Sequence, residues 1–381
     1  MVARKLWLSL LLTLPAFAAE PPGPPAPAQV RREMGIPSTR HQRGQKDTVG
    51  YACTAAQMAA VVRAAEASAL PRSLGPAPSG PAEAVLCPHD DYLYAAPCYR
   101  AALAPLRART VVLVGVFHQA KRFGMRDRLV FEDYRSWRTP DGPLALSPLR
   151  EALCRALGNE AAVVDDAAHD SEHSLEGIAY WLKHRDPRVE VVPVLVPLMD
   201  RARLEALSVR FADALAALCR QRGLLPGRDI ALVLSSDGVH YGADFDYTPY
   251  GPGGLDACVR AMAADEAILK EILCGASPPD ARRAYEAFQD PLDPAKRKVT
   301  WCGRFSVPFG LAASSRLHAA LSPPGTPLLT GYPIGYGCSV AQPLLKVEAT
   351  GLGTTAPSNL YHFVGYPVAA YAAAAPDRPR S

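Results

Sequence analysis

"AVLCPHDDYLYAAPCYRAALAPLRARTVVLVGVFH", running from Ala84 to His118, decides the fold. Its first six residues, "AVLCPH", read as a short buried strand. "APCYRAALAPL" then predicts a helix that carries the chain back. "RTVVLVGVFH" is a second strand, rich in Val and Leu without alternation, as in a parallel sheet buried on both faces. Both strands end on a histidine, His89 and His118.

The same order recurs outward from this unit. "PLREALCRAL" predicts a helix and "AAVVD" a short strand. "HSLEGIAYWLKH" predicts a helix and "VEVVPVLVPL" a strand. "RARLEALSVRFADALAALCRQRG" is a long amphipathic helix stopped by Gly223, and "DIALVLSSDGVHYG" is another buried strand running into a polar turn. Earlier, "TAAQMAAVVRAAEASAL" predicts a helix capped by Thr54. Two further helices are expected in "GLDACVRAMAADEAILKEILCGA" and "PDARRAYEAFQD". The tail predicts two antiparallel strands, in "PLLKVEATGLG" and "NLYHFVGYPVAAYA". The fold class is therefore α/β, a central mostly parallel or mixed sheet with helices on both faces. Three regions are expected: a signal peptide at 1–19, an irregular Pro/Arg-rich segment at 20–46, and one α/β domain at 47–375.

Composition narrows the function. The chain has 381 residues, 49% hydrophobic and 20% charged, which suits a folded core. Arg4 and Lys5 precede the apolar run Leu6 to Leu14, and Ala16-Phe17-Ala18 fits a small-residue cleavage rule. The run is too short to span a bilayer, so a secretory leader and an exported, periplasmic or extracellular protein are expected, with no membrane span. Losing Arg4 and Lys5 lowers the formal charge from +4 to +2, which argues against nucleic acid as partner. The only tight basic run, "AKRKVTWC", reads as a solvated turn. Nine cysteines leave at least one without an intramolecular partner, and the spacing shows no dense disulfide framework. Metal ligation is one reason to keep a thiol free in an oxidising compartment.

Open α/β sheets bind ligands beyond the carboxyl ends of their strands. His89, His118 and the pair Asp237/His240 of "SSDGVHYG" stand at such ends. Spacing alone leaves two readings open, hydrogen-bonded structural histidines or a site. "HDSEHSLE", residues 169–176, adds His169 and His173, which at four residues apart would share one helical face, with Asp170 and Glu172 between them. Its plainer reading is a helix start capped by Asp170, with Glu172 at the positive end. No HExxH, CxxC, P-loop or GxSxG is present, and "GPGG" at Gly251–Gly254 reads as a turn.

The ordered set of segments resembles the Memo-like proteins, relatives of the class III extradiol dioxygenases. "PHDDY" at Pro88–Tyr92 stands where that family has P-H-A-G-Y, and "GVFHQ" at Gly115–Gln119 where it has G-P-S-H-H. "EHSLE" at Glu172–Glu176 is intact, "SSDGVHYG" at Ser235–Gly242 matches SSDLCHWG, and "TWCGRFSVPFG" at Thr300–Gly310 holds the late C-G. "VGYAC" at Val49–Cys53 is a weaker match to the opening AGSWY. The resemblance implies a metal held by His89, His118 and Cys302, with Asp237 and His240 beside it and Glu172 and His173 at the cleft edge or supporting the ligands from behind. Asp90 and Asp91 replace the family's Ala-Gly and bring potential oxygen ligands. Phe117, Gln119 and Phe305 are further departures, so substrate and metal choice are expected to have moved.

The expected function is an exported mononuclear metal-dependent oxidoreductase, dioxygenase-like. Copper or iron(II) would be its metal, zinc a third option, because a thiolate softens the donor set. Its partner would be a small organic molecule or dioxygen, with His240 as proton carrier and Asp237 either orienting it or ligating the metal directly. The alternatives are a non-enzymatic copper or iron handler, or a degenerate member that binds a peptide or small molecule. Capture of Cys302 by Cys338 as a disulfide would silence the site.

Overall fold

A computed structural model describes residues 23–290, 293, 295–347 and 350–374. The expected signal segment at 1–19 lies outside them. The sheet is built on β1 (Ala84–Cys87), β2 (Thr110–Val116), β3 (Glu190–Val196), β4 (Ile230–Ser235), β5 (Leu329–Cys338) and β6 (Phe363–Ala373). Their order in space is β3-β2-β4-β1-β6-β5. The first four run parallel, and β6 and β5 close the edge antiparallel.

The absence of alternation in the strands has a direct cause. Val85, Cys87, Val111, Leu113, Val191 and Val233 point into one apolar layer. Ala84, Leu86, Val112, Val114, Val192 and Leu234 point into the other. Helices Ala55–Ala67, Tyr92–Leu103 and Glu176–Arg185 cover the first face. Helices Leu149–Leu157, Arg201–Arg222 and Ser306–Leu321 cover the second. With both faces dry, every strand position can be apolar. Thr54 caps its helix through a reciprocal box with Gln57, and Gly223 stops the long helix at φ 65°.

Strand order positions the site. β4 inserts between β1 and β2, pairing Ser235 with Cys87 and Leu234 with Val114. Three carboxyl ends far apart in sequence thus lie on neighbouring strands, each about 5 Å from the next.

Three expectations need correction. "PLLKVEATGLG" forms no strand among its described residues; the partner of β6 is β5, which runs antiparallel along it. Pro343 cannot donate to a ladder, and Leu345 and Val347 instead bury against the helix layer. The segment expected to be irregular carries regular structure among its described residues, 23–46: Pro27–Arg32 is helical, and Gln42–Arg43 pairs with Ser136–Trp137. Finally, His169 and His173 do not share a helical face. Helix Asp166–Asp170 is capped by Asp165 rather than Asp170, and the chain leaves it before Glu172. Asp170 instead accepts from Ser38 and Tyr134, at 2.6 and 2.8 Å.

His169 is buried with Nε2 on the Val130 carbonyl at 3.0 Å, and burial pushes its pKa down to about 3. Its ordinary value is about 6.5, so on acidification the unfolded chain takes up this proton first. Stability should therefore fall as pH drops from about 6.5 toward 3, by about 2 kcal/mol at pH 5 from this residue. His169→Gln keeps an N–H donor without the titration. Urea midpoints at pH 7 and pH 5 should separate less in the variant than in the parent.

Candidate metal centre

His89 follows β1, His118 follows β2 and Asp237 follows β4, and all three line one cavity of about 730 Å³. Cys302 arrives from elsewhere, in the turn before helix Ser306–Leu321. Gly303 makes that approach possible: a Cβ there would meet the Ser236 side chain at 2.4 Å. The thiol reaches His89 Nε2 at 3.4 Å. The backbone N–H of Asp237 donates to its sulfur at 3.1 Å.

Ring orientations follow from the partners. Ser235 Oγ donates its one proton to the Ser174 carbonyl at 2.6 Å, so at 2.7 Å from His89 Nδ1 it must accept. His89 is then protonated on Nδ1 and turns the Nε2 lone pair to the cleft. Glu172 Oε1 accepts from His118 Nδ1 at 2.9 Å, which leaves Nε2 of that ring for the cleft as well. A carboxylate behind an imidazole is a recurrent support for a ligand histidine. Glu172 also accepts the backbone N–H groups of His118, His173 and Ser174 at 2.7 to 2.9 Å. Gly115 lets this loop close over β2, since a Cβ there would strike Leu175 at 2.8 Å.

The electrostatics follow from burial and these contacts. Burial alone would raise the Glu172 carboxyl, but His118 and the hydrogen bonds hold it well below the usual range. Burial opposes charge on His118, yet Glu172 and Cys302 outweigh it and carry that ring to about 10. His89 is pushed well down by burial and by neighbouring imidazoles. Burial raises Cys302, against the pull of His118. Asp237 is pushed well above the carboxylate range by burial and by Asp90, while its Oδ1 accepts the His89 N–H at 2.9 Å.

The structure gathers most of the residues singled out above, and rearranges their parts. His173 stacks on His118 with centroids 4.9 Å apart, and with His89 the two form a trio of imidazoles whose nitrogens lie within 4.8 Å. His89, Asp237 and Cys302 form a second trio within the same limit. His240 Nδ1 meets the Gly238 carbonyl at 3.1 Å, and burial lowers the ring to about 4. Asp90 and Asp91 are not offered as ligands. Asp90 accepts from Tyr366 at 2.6 Å and Asp91 from the Thr355 N–H at 2.5 Å. Burial raises both, Asp91 to about 7. The role of Ser235 was not visible in the sequence. The signal for Ser235 was a polar residue ending an otherwise apolar strand, readable only once β4 is known to lie beside β1.

The sheet and the His/Asp/Cys donors at its carboxyl edge define an α/β protein with a potential mononuclear metal-binding site. The family model for Memo-like protein matches residues 56–322, and the chain belongs to that family. A MEMO1 family protein of Thermococcus kodakarensis is 26% identical over 197 residues, 49% of this chain and 63% of its own length. One from Pyrococcus abyssi is 27% identical over 243 residues, 61% of this chain and 75% of its own. A third, from Pyrococcus furiosus, is 28% identical over 175 residues, 43% of this chain and 55% of its own.

Glu172→Gln should leave the fold in place but cost about 10- to 100-fold in metal affinity, as loss of a ligand's hydrogen-bonding support does. Competition against a chromophoric chelator measures it.

Proposed function

We propose that this protein is a mononuclear metal-dependent oxidoreductase, with His89, His118 and Cys302 as metal ligands. The observation that carries the reading is the Cys302 sulfur 3.4 Å from His89 Nε2, in the cleft where Ser235 and Glu172 hold the Nδ1 atoms of His89 and His118. Two imidazoles and a thiolate form a soft set that suits copper or iron(II), with zinc also accommodated. Such an ion would supply redox chemistry and open positions for dioxygen or a small organic molecule. His240 donates Nδ1–H to a carbonyl and is neutral above its lowered pKa, so its Nε2 is a proton acceptor at neutral pH. Asp237 holds the backbone of His89 and lies 3.4 Å from its Nε2, a position from which it competes for the same ion.

The test is reconstitution of the full chain with iron(II), copper and zinc in turn, followed by dioxygen uptake in the presence of organic reductants. Uptake with one redox metal and none with zinc supports the reading; no uptake with any metal sinks it. His240→Gln should keep the metal and lower turnover by about 10²- to 10⁴-fold.

A second reading is a metal handler without turnover. His89 belongs to two donor trios, one with His118 and His173 and one with Asp237 and Cys302, and an ion that drew on both would have its coordination closed. X-ray absorption would count them. The leader-like start supports export to the periplasm or beyond, which N-terminal sequencing of the mature chain tests. Among the described residues no helix is long and apolar enough to cross a membrane.

A further inference from the structure

Two arginines stand in the cleft. Arg297 and Arg304 both line the cavity that holds Cys302 and His240. Neither has a carboxylate partner among the described residues. Arg297 donates to the Phe245 carbonyl. With the Gln289 carboxamide oxygen facing it, Arg304 donates Nε at 3.1 Å. Some arginines outside the cleft are paired: Arg316 meets Asp213 at 2.6 Å and Arg122 meets Glu33 at 2.7 Å.

The acids of the cleft are already engaged. Asp47 accepts from the Val49 and Gly50 N–H groups, and Asp90, Asp91 and Asp237 are held by Tyr366, Thr355 and His89. Next to the arginines the lining turns apolar. The Arg304 guanidinium lies 5.1 Å over the Phe305 ring, and Phe117, Val196 and Leu198 continue the wall. A cavity of about 730 Å³ has the size of a small-molecule site.

We propose that the cleft takes a small organic carboxylate with a flat apolar body, its carboxylate received by Arg304 and Arg297 and its body lying on the Phe305 side. A planar guanidinium offers paired N–H groups that match a carboxylate. The assignment names the substrate class for the function above and rests on it only for where the reacting end points, toward Cys302.

Benzoate and its neutral analogue benzamide are the probes, titrated calorimetrically into the metal-loaded full chain. Benzoate should bind about tenfold tighter, the margin expected of a charge-assisted pair. Arg304→Gln should erase most of that preference, as should Arg297→Gln at an exposed position where folding is not at risk. Both variants should keep their metal. The preference should persist in chelator-stripped protein, which separates the arginines from a carboxylate landing on the ion. Equal binding of the two probes overturns the assignment. So does a preference that survives both substitutions together, or one that vanishes when the metal is removed. Failure of the metal reading looks different: metal content would ignore His89 and Cys302 while benzoate still won.

Discussion

Cys302→Ser should strip the protein of metal, from about one ion per chain to less than a tenth of that. A seryl hydroxyl is harder than a thiolate and stays protonated at neutral pH, so it does not replace a soft anionic ligand. The sulfur sits between His89 Nε2 at 3.4 Å and the Asp237 N–H at 3.1 Å, so the exchange removes the donor with little change in shape. His89→Ala should do the same, because His89 is shared by both donor trios. His173→Ala separates them: it should leave the metal if Cys302 is the third ligand and remove it if three imidazoles hold the ion. Metal analysis of all three variants after purification under reducing conditions gives the result. Retained metal in both the His89 and Cys302 variants would end the proposal.

Arg43→Met should be the most destabilising single change in the molecule, by about 3–5 kcal/mol, the range for leaving a buried charge without its partner. Arg43 is 1% exposed and pairs with Glu176 at 2.7 Å. It also donates to the carbonyls of His169 and Glu172 at 2.6 to 3.1 Å and stacks 4.4 Å over Trp137. Glu176 in turn accepts the backbone N–H groups of Lys46 and Asp47. The thermal midpoint should fall by roughly 5 °C or more. Adding Glu176→Gln should recover part of the loss, since the orphaned carboxylate goes with it. Because the same guanidinium ties down the loop bearing Glu172 and His173, the variant should also bind metal less tightly. Unchanged melting would show that the N-terminal segment is dispensable to the fold.

Much of the fold was legible because each strand carries its own evidence. The Val- and Leu-rich runs at Thr110–Val116 and Glu190–Val196 have no polar face, and only a sheet covered on both sides accepts that. The tail was misread for the complementary reason. "PLLKVEATGLG" and "LTGYPIGYGC" carry comparable local signals, and only competition for the edge beside β6 selects between them.

Local pattern, then, determined the element types, the strand-end histidines and, through the family's ordered blocks, the inclusion of Cys302. Adjacency was decided by tertiary structure alone. Nothing in the order of the chain says that β4 slips between β1 and β2, yet that placement brings His89, Asp237 and His118 onto one cleft and aims Ser235 at a histidine 146 residues away. The same holds for Arg43 and Glu176, which look like solvated charges in a string and become a buried pair in the fold. Periodicity records which way a side chain faces. Which distant group it meets depends on how whole layers pack, and that information is spread over the entire core.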